Sequence, residues 1–239
     1  MIGKYPEADF VTGVFSDVDH ARVEDQVLSL DTLEHALGCR HLIQIVGFHL
    51  IQPDCHGDDD EARSLALAQY ADADNMTDRM GALRALVGSG FESDRDATLA
   101  DFYERFRQDP QVVEQWFSVQ AASARTGSLP QIQELMQHPA FDWKNPNKIR
   151  SVIGAFAGQN LPAFHAEDGS GYRFLSEQVC RLDDSNPQIA ARLVSPLTRW
   201  RKFAPVHSDQ MKSALEKVSH KKELSRDVYE VVHKSLAGH

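Results

Sequence analysis

Three groups of side chains in this 239-residue sequence are of types that do chemistry. The first is His35, Cys39, His41, His49, Cys55 and His56, all zinc-ligand types. A closed structural zinc site needs a C-x2-C pair matched by a second pair, and none occurs here. The group reads as histidines scattered on a helix beside a linker cysteine, and no metal site is expected.

The second group lies in Asn145–Tyr172. His165, Glu167 and Asp168 precede Gly169-Ser170-Gly171. A histidine with two carboxylates has the make-up of a general acid–base pair. No serine or cysteine nucleophile sits in a sharp turn beside them. The pattern favours a structured loop in which Asp168 braces a tight turn at Gly169 by accepting backbone N–H bonds, so that His165, Asp168, Gly169 and Gly171 aim the helix that follows. Gly154 and Gly158 stand within an apolar helical stretch and weaken it, unless another backbone packs closely there.

The third group is Gln188 and Arg192. Four residues apart on a helix, they share one face. An amide beside a guanidinium can hold a carboxylate or a peptide carbonyl. Arg150 stands at a similar depth behind its own Asn-Pro start.

The elements that must position these groups read as helices. Apolar residues recur every three or four positions: Tyr172, Leu175, Val179 and Leu182; Ile189, Leu193, Leu197 and Trp200; Met211, Leu215 and Val218; Leu224, Val228, Val231 and Leu236. Asp109-Pro110, Asn145-Pro146 and Asn186-Pro187 each set a capping side chain before a proline that gives up no helical hydrogen bond, and Ser128 before Leu129-Pro130 is a weaker fourth start. Helices are expected over 60–70, 76–88, 94–107, 110–121, 129–137, 146–156, 171–183, 187–200, 206–219 and 225–236. Short connections make neighbours antiparallel, and a series of such pairs stacks into an all-α, ARM/HEAT-like superhelical solenoid.

Residues 1–58 differ. Phe10–Phe15 reads as strand, Asp31–Phe48 as a helix with Asp31 and Glu34 as a capping box, and 54–61 as an acidic linker. A boundary is placed near 58, leaving 1–58 unassigned and 59–239 as the helical-repeat domain. The unassigned segment is read as diverged helices, a different short module, or the product of a shifted reading frame.

Composition bounds the function. The chain is 42% hydrophobic, with 25 Lys+Arg against 35 Asp+Glu. Residues 1–120 hold 9 Lys+Arg and 23 Asp+Glu; residues 121–239 hold 16 and 12. That balance argues against non-specific nucleic-acid binding, which needs clustered cations. With a mean hydropathy of −0.41 and no apolar run of membrane-spanning length, no membrane partner is expected. Met1–Phe10 lacks the cationic head and apolar core of a secretory signal, so the expected location is cytoplasmic. Three cysteines are too few for a disulfide framework.

The segments NPNKIRSVIGAFAGQN, FHAEDGSGYRFL, NPQIAARLVSPLTRW and LSRDVYEVVHKSL, with ADNMTDRMGALRAL and VVEQWFSVQA upstream, resemble the C-terminal helical domain of bacterial aminopeptidase N, a gluzincin zinc metallopeptidase family. The resemblance runs from about Asp60 to Ala237. It implies a stack of helix pairs that caps a thermolysin-like zinc domain and walls its peptide cavity. It also implies that Arg150, Gln188 and Arg192 face that cavity, with a peptide substrate and a catalytic domain, in cis or in trans, as partners. The zinc of the full-length enzyme would be held elsewhere. No histidine here is followed by glutamate, so the H-E-x-x-H motif is absent, and so is G-x-M-E-N. The chain alone is therefore not expected to hydrolyse peptides. The alternative is a stand-alone helical-repeat module that binds peptide or protein. A stack deprived of its neighbouring domains is expected to expose apolar surface and to self-associate.

Overall fold

The computed structural model describes residues 60–238. The expected strand at Phe10–Phe15, the helix over Asp31–Phe48, the Cys/His group and the boundary near 58 lie outside the described residues.

Within them every regular element is helical: α1 (Asp60–Asp72), α2 (Met76–Gly88), α3 (Glu92–Phe106), α4 (Pro110–Ala122), α5 (Leu129–Leu135), α6 (Pro146–Ile149), a π turn (Arg150–Gly154), α7 (Ala155–Gln159), α8 (Leu161–Phe164), α9 (Ser170–Asp183), α10 (Pro187–Leu193), α11 (Ser195–Thr198), a 3-10 turn (Trp200–Lys202), α12 (Pro205–Ser219) and α13 (Arg226–Ala237). α1 packs on α2, α2 on α3, α3 on α4, and α4 on the π turn and α7. Further along, α9 packs on α10 and α12, and α13 on α10 and α12. The result is an all-α, solenoid-like succession of helix contacts.

The starts form as capping chemistry requires. Asp109 Oδ1 accepts from Gln111 N at 3.0 Å. Asn145 Oδ1 accepts from Asn147 N at 2.9 Å, and Asn186 Oδ1 from Ile189 N at 3.3 Å. Each side chain satisfies an amide that the first turn leaves free. At Ser128 the backbone N–H donates to Gln131 Oε1 at 3.2 Å.

The apolar stripes turn inward. Tyr172, Leu175, Val179, Leu182, Met211, Leu215, Val218 and Val228 are all buried. On α13 the stripe is shifted: Val232 is buried, whereas Val231 and Leu236 are partly covered.

Three local departures matter. The helix expected over 187–200 is broken, because Pro196 has no N–H to offer the preceding turn; α10 stops at Leu193 and α11 restarts at Ser195. The helix expected over 146–156 runs on to Gln159 but carries the π turn, where the Ala155 N–H reaches back to the Arg150 carbonyl. A short helix, α8, stands where only loop was expected.

Candidate functional site

Arg150 opens the π turn, and its side chain is exposed. Its Nη1 donates to Asn147 Oδ1 at 2.7 Å, one turn back on α6. α10 packs against the π turn at Gly154. A Cβ built at Gly154 would lie 3.6 Å from Arg150 Cβ and 3.8 Å from Leu193 Cδ2. The Arg150 stem and the Leu193 side chain thus border the same space, and Arg192 adjoins Leu193 in sequence. Gln188 and Arg192 are both exposed on α10. The structure therefore brings together the two short helices that carry Arg150, Gln188 and Arg192. Among the described residues neither Arg150 nor Arg192 is paired with a carboxylate. By contrast, Arg105 is paired with Asp101 at 2.7 Å, and Arg63 with Asp94. Gly158, the second glycine of that stretch, has nothing within 4 Å of a built Cβ, so close backbone packing explains neither glycine fully.

The loop before α9 forms a second, separate group. Asp168 Oδ1 accepts from Ser170 N at 2.9 Å. Hydrogen bonds from Ser170 hold the Asp168 carboxyl below its usual range, with Arg173 adding to the effect. Gly169 adopts φ +68°, a left-handed conformation that a side chain resists. A Cβ there would also lie 2.8 Å from Gln210 Oε1. Gln210 ties the loop to α12 by donating from Nε2 to Glu167 O at 2.9 Å. At Gly171 a Cβ would run into the Phe164 backbone, so α9 starts directly against α8.

His165 leaves the loop to join a buried tyrosine. Its Nδ1 lies 2.7 Å from Tyr172 Oη, and Tyr172 Oη lies 3.0 Å from His207 Nδ1. The hydroxyl has a single proton between two ring nitrogens, so it donates to one imidazole and accepts from the N–H of the other. The His165 ring stacks on Phe203 with centroids 4.7 Å apart. Burial lowers the His165 pKa, and His207 lowers it further. Burial raises that of Tyr172. Glu167 and Asp168 do not join this group; their recorded bonds brace the loop instead.

Sequence reasoning passed over several of these residues. Asn147 was legible, since an amide three residues before an arginine on one helix can meet it. Asn160 had a weaker signal, standing before Leu161-Pro162 as Ser128 stands before Leu129-Pro130. Its side chain is fully buried, and Nδ2 donates to Ala121 O, Ser123 O and Gly127 O at 3.2, 2.9 and 3.0 Å. His207 and Gln210 had no local signal, because their partners lie on a different helix and loop.

Among the described residues no three His, Cys, Asp or Glu side chains are arranged to hold a metal ion. No helix among them is long and apolar enough to cross a membrane.

The all-helical fold defines a helical-repeat protein of ARM type. The chain belongs to the family described as the ARM-repeat domain of unknown function DUF3458_C, whose model matches residues 19–237. The match begins inside the segment 1–58 that sequence reading left unassigned. The chain is 43% identical over 173 residues to aminopeptidase N of Haemophilus influenzae, covering 72% of this chain and 20% of that protein. It is 39% identical over 216 residues to aminopeptidase N of Escherichia coli, covering 90% and 23%. Among solved structures it is similar to the crystal structure of Legionella pneumophila aminopeptidase A in complex with aspartic acid. That match has a TM-score of 0.73 and 30% identity, over 83% of this chain and 23% of the other. The resemblance to the C-terminal helical domain of bacterial aminopeptidase N therefore holds, and the chain spans between a fifth and a quarter of the length of the relatives it matches.

Proposed function

We propose that this chain serves as the C-terminal helical cap of a zinc-dependent aminopeptidase and walls the cavity in which the peptide lies. The observation that carries the reading is the exposure of Arg150, Gln188 and Arg192, which we read as one ridge because α10 packs on the π turn, with neither arginine paired with a carboxylate among the described residues. Such a ridge holds the polar backbone or the carboxylate end of a peptide through charge-assisted hydrogen bonds. The zinc that the resemblance implies finds no ligand set among the described residues. In this reading the metal belongs to the catalytic part of the enzyme, and this chain binds and orients peptide only. The partners are that catalytic domain, in cis or in trans, and the peptide substrate.

The test adds the chain to the catalytic portion of an aminopeptidase N from which the corresponding domain has been removed. Peptide hydrolysis should rise or narrow in substrate preference, and Arg192→Ala should weaken that effect. Unchanged rates and preferences would overturn the proposal.

A second reading is a module that binds peptide without cleaving it. In it the exposed Arg150, Gln188 and Arg192 hold the peptide and no bond is broken. A peptide titration of the chain alone, repeated with Arg192→Ala, tests it; equal affinities would sink it.

A further inference from the structure

Arg150 is held by a neutral group, as Arg79 and Arg201 are by backbone carbonyls, but in its case the acceptor is a side chain. Several of the molecule's other arginines are held by carboxylates: Arg63 by Asp94, Arg105 by Asp101, Arg107 by Glu104 and Arg173 by Asp168. Each such pair fixes a guanidinium and cancels its charge. Arg150 is fixed by an amide instead, through the 2.7 Å bond from Nη1 to Asn147 Oδ1. An amide oxygen accepts the bond without carrying charge. The guanidinium gives up one of its five N–H donors and keeps its full positive charge.

The backbone supports that arrangement. Asn147 N is capped by Asn145 Oδ1 at 2.9 Å, which sets Asn147 in the first turn of α6. Arg150 follows three residues on, at the start of the π turn. Its stem borders Gly154, on which Leu193 of α10 also closes. Arg150 thus rises from the π turn on which α10, the helix of Gln188 and Arg192, packs.

We infer that Asn147 is a positioning residue for Arg150: a neutral tether that orders the guanidinium while leaving its charge free for an anionic group, the carboxylate of a peptide. This rests on the peptide-binding role proposed for the ridge. Any carboxylate in the place of Asn147 would order Arg150 equally well and would occupy the charge meant for the ligand.

The experiment uses the full 239-residue chain with two readouts. The first is the order of the Arg150 Nε–H group by nitrogen-15 relaxation. The second is the affinity for tetra-alanine and for its C-terminal amide. Helical circular dichroism checks that each variant folds, which the exposure of Asn147 and Arg150 favours.

Asn147→Ala should free the guanidinium and weaken tetra-alanine binding about two- to tenfold, the cost of ordering a long side chain on binding. Asn147→Asp should keep Arg150 ordered and weaken tetra-alanine on the order of tenfold through like-charge opposition, while the amide probe changes less. Arg150→Gln tests the underlying role: tetra-alanine affinity equal to the unsubstituted chain overturns peptide binding by the ridge. If Arg150→Gln loses affinity but Asn147→Ala leaves both order and affinity unchanged, the tether is refuted. If Asn147→Asp binds tetra-alanine as well as the unsubstituted chain does, the argument from neutrality is refuted.

Discussion

Asn160→Ala should be among the most damaging single substitutions in the helical body. The side chain is fully buried, and its Nδ2 donates to three carbonyls, those of Ala121 at the end of α4 and of Ser123 and Gly127 in the loop beyond. Its Oδ1 accepts from Ala163 N at 3.3 Å at the start of α8. One amide thus fastens the α4–α5 loop to the α7–α8 corner. Two hydrogens shared by three carbonyls amount to two hydrogen bonds, each contributing about 1 kcal/mol net, and a carbonyl left buried without a partner costs about 1–3 kcal/mol. The expected loss is about 3 kcal/mol, which for a body of this size lowers the thermal midpoint by roughly 6–12 °C. Thermal and urea unfolding followed by circular dichroism measure it. Asn160→Asp is isosteric but has no donor, and turns a carboxylate toward three carbonyls, so it should cost at least as much as alanine at neutral pH. Gly127→Ala supplies the cross-check. A Cβ there would collide with Asn160 Nδ2 and lie 2.7 Å from Ala121 O. Its cost should fall in the Asn160→Ala background, because part of the collision is gone. A midpoint for Asn160→Ala within about 2 °C of the unsubstituted chain, under 1 kcal/mol on that scale, or strictly additive costs in the double variant, would refute the reasoning.

Three further outcomes are expected. Burial on its own would raise the Asp183 carboxyl, but hydrogen bonds from Ser225 and the charge of Lys221, 3.0 Å away, bring it below its ordinary value; its contribution is present above the usual carboxylate range and lost as pH falls through it, so Asp183→Asn should flatten the acid limb of urea midpoints below about pH 4, and parallel limbs would contradict this. The lowered pKa of His165 means that folding favours the neutral ring: stability is present above the ordinary histidine value of about 6.5 and lost as pH falls below it, so the His165 ring proton should titrate below that value by NMR, and a midpoint at or above it would exclude the burial argument. Leu161, Val206 and Tyr229 are 55%, 60% and 52% exposed, and a chain whose apolar surface is uncovered should show concentration-dependent sedimentation that Leu161→Ser with Val206→Ser reduces; a monodisperse monomer at high concentration counts against it.

The helix starts and the inward faces were legible because both are written within one or two turns. A capping side chain and a proline act on amides two or three residues away, as at Asp109, Asn145 and Asn186. The stripe through Tyr172, Leu175, Val179 and Leu182 needs only the 3.6-residue period to find its buried face. The candidate residues Arg150, Gln188 and Arg192 were legible as types at a spacing, and the family through the motifs around them.

The amino-acid sequence by itself determined that the described residues are helical and where most of their helices begin, since these follow from local hydrogen bonding and periodicity. Only the tertiary structure decided the π turn at Arg150, the break at Val194, the closure of α10 on Gly154 and the two clamps at Asn160 and Gln210. Those clamps join residues 33 and 43 positions apart in the chain. A buried amide finds its carbonyls only when separate helices have packed, because the dense interior between them selects the contacts that no short stretch of sequence contains.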